Sequence, residues 1–121
     1  MQWVLLGEMT AAVRDALLRH GHRTHAAGEL ELATDAPAGD LLAAAGRRQW
    51  DVFTTDSGVS AAALRGESGF GRTLVYLQLD GGDVEQDDGV DRLFARYKRL
   101  TPGRLYTITA NRVKVRQLPS K

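Results

Sequence analysis

The 121-residue sequence contains no cysteine and no long apolar run. The absence of cysteine excludes disulfide bonds, thiolate nucleophiles and zinc sites built from cysteine, and it is consistent with the cytoplasm. No apolar run approaches the ~20 residues that a membrane-spanning helix needs, and no signal-peptide pattern opens the sequence. We therefore expect one cytoplasmic domain, residues 1–121, with no membrane partner.

Acidic residues are absent from the last quarter of the sequence. Residues 92–121 contain nine Lys or Arg and no Asp or Glu, whereas residues 1–91 combine seven basic with all fifteen acidic residues, a formal net charge of −8. A basic end of this kind can bind a polyanion such as RNA. The alternative is an ordinary solvated basic face. The candidate RNA-binding residues are Arg96, Arg99, Arg112 and Arg116.

Strand and helix patterns alternate along the chain. Period-two and continuous apolar patterns predict strands at 3–6, 22–26, 51–55 and 73–79, and a β-hairpin across 104–118. Helices are predicted after Thr10, after Asp35, weakly at 60–64, and from a cap at Asp87 or Asp88 to position 100. The order predicts an α/β fold: a mostly parallel sheet with helices on both faces and a C-terminal hairpin.

Three acidic residues follow or begin elements that should meet at one edge of this sheet. Glu8 follows the first strand, Asp40 lies early in the second helix, and Asp56 follows the third strand. Carboxylates that converge in a cleft repel one another, and a divalent cation relieves that repulsion. A bound Mg²⁺ or Mn²⁺ could activate water for attack on a phosphodiester. The alternative is that Asp40 and Asp56 are helix caps or turn residues.

Two other segments resemble metal sites only superficially. In "HGHRTH" a helix end separates His20 from His22 and His25, so we expect the three rings to diverge. The acidic segment 80–91 lacks the glycine and the closing glutamate of an EF-hand. We expect it to be a solvated loop in which an aspartate caps the following helix.

The order of these elements and three stretches of sequence resemble a known family. The stretches "WVLLGEMTAAVRDALLRHGHRTH", "DLLAAAGRRQWDVFTTD" and "NRVKVRQLP" are similar to the small PIN-like domains of bacteria, relatives of the VapC-type toxin ribonucleases and of the Mut7-C domain. The resemblance covers nearly the whole chain. It implies a three-layer PIN-like fold and Mg²⁺- or Mn²⁺-dependent hydrolysis of RNA. It also implies an antitoxin protein or a second copy of the chain as partners.

Two acids that the resemblance implies are absent. The first strand of such domains typically ends in Asp-Glu, and here those positions hold Gly7 and Glu8. Asp56 matches the aspartate of a "T-x-D" motif, and Asp40 lies near the acid of the second helix. The position two residues after Asp56 commonly carries another acid and is Gly58 here. The resemblance therefore implies catalytic and metal-binding roles for Glu8, Asp40 and Asp56 in a site that lacks two ligands.

The sequence leaves several interpretations open. Gly7 is either an inactivating change or a natural feature of a degenerate domain, and the second loss at Gly58 favours the natural origin. The function is then an impaired metal-dependent ribonuclease or, alternatively, a non-catalytic RNA-binding or protein-interaction module. A Rossmann-like nucleotide binder ranks last, because one glycine after the first strand does not make a glycine-rich turn. Trp3 and Trp50 are either core residues or part of a dimer contact.

Overall fold

A six-stranded sheet and four α-helices make up the computed structural model, which describes residues 1–33, 35–66, 68–79 and 81–119. The strands are β1 Gln2–Leu6, β2 Arg23–Ala26, β3 Asp51–Thr54, β4 Leu74–Leu77, β5 Arg104–Ile108 and β6 Val113–Gln117. The α-helices are α1 Ala11–Arg19, α2 Ala38–Arg47, α3 Ser57–Arg65 and α4 Asp83–Arg96, and a 3₁₀ turn spans Ala27–Leu30. The predicted α/β class is confirmed.

The strand order in the sheet is β2-β1-β3-β4-β5-β6. The first five strands are parallel, and β6 pairs antiparallel with β5. The parallel strands therefore all end at one side of the sheet, here called the carboxyl edge, and begin at the opposite side, the amino edge. The chain proceeds outward from β1 in one direction to β2 and in the other to β3. Ligand sites of open α/β sheets form at the carboxyl ends of strands beside such a switch point.

Helices cover both faces of the sheet. Adjacent strand residues point to opposite sides, so that Val4 and Val52 pack with α2 and α3 while Trp3 and Phe53 pack with α1 and α4. All four of these side chains are fully buried. Trp50 is half-buried and stacks on the ring of His25, 3.8 Å between centroids. Trp3 is thus a core residue, and it is not available for a dimer contact.

Capping side chains determine where α1 and α3 begin. The hydroxyl of Thr10 accepts a hydrogen bond from the backbone N–H of Ala12 at 3.2 Å, which confirms the predicted cap of α1. Asp56 caps α3 in the same way. Because of that cap, α3 starts at Ser57 rather than at the predicted position 60.

The fourth helix begins earlier and ends earlier than the sequence pattern predicts. It starts at Asp83, where Glu85 accepts a hydrogen bond from the backbone N–H of Gly82 at 3.0 Å. The prediction of a cap at residues 87 or 88 is wrong, and most of the acidic segment is helical rather than a loop. These two aspartates lie in the helix body, where they bind Arg19 and Arg92. The helix ends at residue 96, so Leu100 packs into the core from the following loop.

Candidate functional site at the carboxyl edge

A cleft of about 590 Å³ opens at the carboxyl edge of the sheet. Its walls are the ends of β1, β3, β4 and β5, the beginning of α4, and one residue of β6. Most of the described side chains that line it are polar, and these carry one carboxylate and one ammonium group. The lining polar side chains are Glu8, Thr55, Tyr76, Gln78, Gln86, Thr109 and Lys114. The cleft therefore lies where the topology of a parallel sheet predicts a site.

Gly7 has a backbone conformation that disfavours any side chain. Its φ is +96°, in the region that L-residues rarely adopt. A Cβ atom at this position would lie 2.5 Å from Oγ1 of Thr55 and 3.4 Å from the backbone nitrogen of Asp56. The chain turns sharply here, directly after β1, and passes close to the end of β3. An aspartate at position 7 would need both a different backbone conformation and a displaced Thr55.

The three acids singled out by the sequence have different surroundings. Glu8 is exposed and lines the cleft. Asp56 is exposed, and its Oδ1 accepts a hydrogen bond from the backbone N–H of Gly58 at 2.8 Å, so the capping alternative describes its contact. Asp40 lies exposed in the first turn of α2, where a carboxylate suits the helix dipole, and is not among the residues that line the cleft.

These acids do not form a metal-binding group. Among the residues that the structure describes, no three or more His, Asp or Glu side chains are grouped so that they could hold one ion. A magnesium centre that relies on one or two carboxylates would have Glu8 as its only carboxylate among the described residues of the cleft. The donor set therefore does not fit the multi-carboxylate centre that the resemblance implies. Binding of Mg²⁺ or Mn²⁺ stays a prediction.

The structure around position 58 also favours glycine over an acidic residue. A Cβ atom at position 58 would lie 3.1 Å from Oδ1 of Asp56, the oxygen that caps α3. A carboxylate there would add like-charge repulsion to that crowding. Both glycines at the expected acid positions thus fit the local backbone geometry of the carboxyl edge.

Gln86 lines the cleft and connects two helices, and the sequence pattern does not predict this role. It is 8% exposed, and its Oε1 accepts hydrogen bonds from the backbone N–H of Thr10 at 3.0 Å and from the Thr10 hydroxyl at 3.2 Å. The side chain therefore joins the beginning of α1 to α4. Positions 86, 90 and 93 share one helical face, which is the signal that could identify it. The many acidic residues between 80 and 91 obscure that signal, because they are typical of a loop.

A second surface, the arginine groove, adjoins the cleft. It has a volume of about 540 Å³ and lies between the second half of α4 and the turn that connects β5 to β6. Its residues are Arg92, Ala95, Arg96, Asn111, Arg112 and Val113. Arg92 donates a hydrogen bond through Nη2 to the backbone oxygen of Thr109 at 2.8 Å, and Thr109 also lines the cleft. The two surfaces therefore adjoin at this contact.

The four arginines predicted to bind RNA do not form one surface. Arg96 and Arg112 lie together in the arginine groove. Arg99 lines a different cavity, at the amino edge of the sheet. Side chains along β6 point alternately to the two faces of the sheet, and Val113 and Val115 pack toward α4. Arg116 therefore lies on the opposite face.

The predicted divergence of the three histidines holds only in part, because His20 and His22 both pack against the ring of Phe94, each 4.8 Å away between centroids. His20 pairs with a carboxylate of α4, and its Nε2 lies 2.9 Å from that oxygen. His22 accepts a hydrogen bond at Nδ1 from the indole Nε1 of Trp3 at 2.9 Å. Burial lowers the pKa of His22 to about 4. His25 lies 2.9 Å from the side-chain oxygen of Gln2.

Comparisons with known proteins identify no relative. No family model matches the chain, and comparisons with curated proteins and with solved structures likewise gave no match. Within the part of the chain that the structure describes, no helix is long and apolar enough to cross a membrane.

Proposed function

We propose that this chain is a PIN-like domain that binds RNA along its carboxyl edge and is impaired as a metal-dependent ribonuclease. The observation that carries the proposal is the contact between Arg92 and Thr109, at which the polar cleft adjoins the arginine groove. Two adjoining surfaces that both contain cations suit a chain of phosphates better than a small metabolite.

The distribution of charge supports a polyanion as ligand. Arg96 and Arg112 of the groove, and Lys114 of the cleft, come from the segment that has no acidic residue, whereas Arg92 is paired with Asp88 at 3.0 Å. Cationic side chains of this kind bind the phosphate backbone without reading the base sequence. Tyr76, half-buried in the cleft, offers a ring against which a base can stack. We therefore expect salt-dependent binding of single-stranded RNA with little sequence preference.

The geometry around Gly7 supports the impairment. A side chain at position 7, where the resemblance implies the first acid, would have to displace the Thr55 hydroxyl and hold a φ that L-residues rarely adopt. Asp56 already caps α3, and of the residues that the structure describes, Glu8 is the only carboxylate that lines the cleft. The account in which Gly7 is a natural feature of a degenerate domain rests on the second loss, at Gly58. An alternative role as a protein-interaction module has no specific observation in its favour.

The proposal also covers the cellular localisation of the domain and its protein partners. We place the domain in the cytoplasm, in keeping with the lack of cysteine. An antitoxin protein and a second copy of the chain are partners implied by the resemblance alone. Both stay predictions.

The experiment is a titration of a labelled single-stranded RNA with the full chain, followed by fluorescence anisotropy at several salt concentrations. The Arg96→Ala and Arg112→Ala double variant should bind more weakly, and its salt slope should be smaller by about one for each phosphate that it no longer neutralises. Arg47→Ala is the matched control, because Arg47 is an exposed arginine at the end of α2, remote from the groove. An equal weakening in both proteins, or no RNA binding at low salt, contradicts the proposal.

A further inference from the structure

A cavity of about 430 Å³ lies at the amino edge of the sheet, on the opposite side from the cleft. It forms where β3 begins, beside the residue preceding β2 and the segment that connects α4 to β5. Its polar residues are His22, Asp51, Arg72, Lys98 and Arg99, and Met1, Phe94, Leu100 and Pro102 also line it. Nothing in the proposed RNA-binding function uses this cavity.

The buried polar atoms of this region are incompletely satisfied. Asp51 is 1% exposed, and its Oδ1 accepts a hydrogen bond from the backbone N–H of Thr73 at 3.0 Å. Its Oδ1 also lies 3.3 Å from Nε of Arg72. In the described part of the chain, the buried side-chain atoms without a hydrogen-bond partner are Oδ2 of Asp51, Nε of Arg72 and Oγ1 of Thr73. All three belong to this one cluster, and a buried carboxylate oxygen without a donor is costly.

The charges around the cavity favour an anion at its mouth. Among the described residues of its lining, the three basic side chains of Arg72, Lys98 and Arg99 outnumber the one carboxylate, that of Asp51. Lys98 and Arg99 are exposed, so a ligand can reach them from solvent. His22 adds no positive charge near neutral pH, because burial lowers its pKa to about 4. A ligand that suits the whole cavity therefore carries an anionic group at one end and a hydrogen-bond donor at the other.

We propose that the amino-edge cavity binds a nucleoside monophosphate. A base N–H donates to Oδ2 of Asp51, the phosphate binds Lys98 and Arg99, and the base and sugar lie against the apolar wall. Every common base carries at least one N–H donor, so a single free carboxylate oxygen selects for a base without specifying which one. A phosphate suits the excess of basic side chains better than a singly charged carboxylate does. The volume is in the range of small-molecule sites.

The test is isothermal titration calorimetry of the full chain with the four ribonucleoside monophosphates, with the matching nucleosides and with inorganic phosphate. At least one monophosphate should bind about tenfold more tightly than either part alone. The isosteric Asp51→Asn variant, which places an N–H donor where Oδ2 stands, should weaken that binding about tenfold. The Lys98→Ala and Arg99→Ala double variant should weaken it as well and make it less sensitive to salt.

The Arg96→Ala and Arg112→Ala double variant is the control, because it removes two cations of the proposed RNA-binding surface. Unchanged nucleotide binding in this variant shows that the ligand does not occupy that surface, so the two proposals succeed or fail separately. The inference is overturned if inorganic phosphate binds as tightly as every monophosphate, or if Asp51→Asn binds as well as the original chain. It is also overturned if the Arg96→Ala and Arg112→Ala variant abolishes nucleotide binding. Should Asp51→Asn fail to fold, the Lys98→Ala and Arg99→Ala variant decides, because both of its residues are exposed.

Discussion

The side-chain oxygen of Gln86 accepts two hydrogen bonds from Thr10, a residue 76 positions earlier in the chain. This contact fixes the beginning of α1 against α4 at the wall of the cleft. Thr10 also caps α1, so one residue both starts a helix and positions it relative to another. The shape of the carboxyl edge thus depends on a buried amide as well as on the apolar core.

Replacing Gln86 should destabilise the protein, because its side chain accepts two partly buried hydrogen bonds. In Gln86→Ala the backbone N–H and the hydroxyl of Thr10 have no shared acceptor, which should lower the free energy of unfolding by about 1–3 kcal/mol. Urea denaturation measures this change. Gln78→Ala is the control, since Gln78 lines the same cleft but is exposed. Equal stabilities of the two variants would show that the hydrogen bonds to Thr10 contribute nothing.

A side chain at position 7 should be strained. Gly7→Ala should lower the free energy of unfolding by about 1–2 kcal/mol, because its φ of +96° is costly for any L-residue, and the contact with Thr55 should add to that cost. Gly28→Ala is the control: its Cβ would have no neighbour within 4 Å, and its φ is not positive. If Gly7→Ala unfolds at the same urea concentration as the original chain, position 7 does not require glycine.

Gly7→Asp should not create a ribonuclease. The added carboxylate would have to displace Thr55 or the backbone before it could meet Glu8, so we expect destabilisation and no cleavage of RNA with Mn²⁺. Gel analysis of a labelled RNA after incubation checks this outcome. Cleavage that appears in Gly7→Asp and is absent from Gly7→Ala would instead identify position 7 as the place of a single missing ligand.

Acid should destabilise the fold through His22. Its pKa is lowered to about 4 in the folded protein, chiefly by burial, whereas an unfolded histidine titrates near ~6.5. As the pH falls, the unfolded chain therefore binds a proton before the folded protein does. The stability that neutral His22 contributes is complete above pH ~6.5 and decreases as the pH falls toward 4. Urea denaturation between these pH values measures the slope.

His22→Asn provides the comparison for that measurement. The asparagine oxygen can accept the Trp3 hydrogen bond but does not titrate, so the dependence on pH should become shallower. A slope identical to that of the original chain would mean that His22 titrates equally in the folded and unfolded states.

Much of the fold can be predicted because its signals are local. The apolar strand at Trp3, the cap at Thr10 and the alternation in β5 and β6 all appear in the sequence, and all agree with the structure. The start of α4 could not be predicted, because acidic residues and two glycines obscure a helix that Glu85 caps. Its apolar face begins at buried Gln86, a residue type that hydrophobic periodicity does not count.

The site is harder to predict, because it depends on distances between elements. The sequence indicates which acids follow strands and offers capping as the alternative for Asp56, but it cannot decide between a cap and a metal ligand. Nor can it show that Arg92 connects the cleft to a groove, since that contact joins a helix to the end of β5. The unsatisfied cluster around Asp51 is also hidden, because a buried carboxylate at the start of a strand has no local signature.

Incubation of labelled single-stranded RNA with the full chain, with and without Mn²⁺, tests the central claim most directly. Binding and cleavage are measured in the same samples, by anisotropy and by gel. We expect RNA to be bound in a salt-dependent manner and to stay intact when Mn²⁺ is present. Cleavage that requires Mn²⁺ and disappears in the Glu8→Ala and Asp56→Ala double variant would contradict this account, because the carboxyl edge would then be a working metal-dependent nuclease.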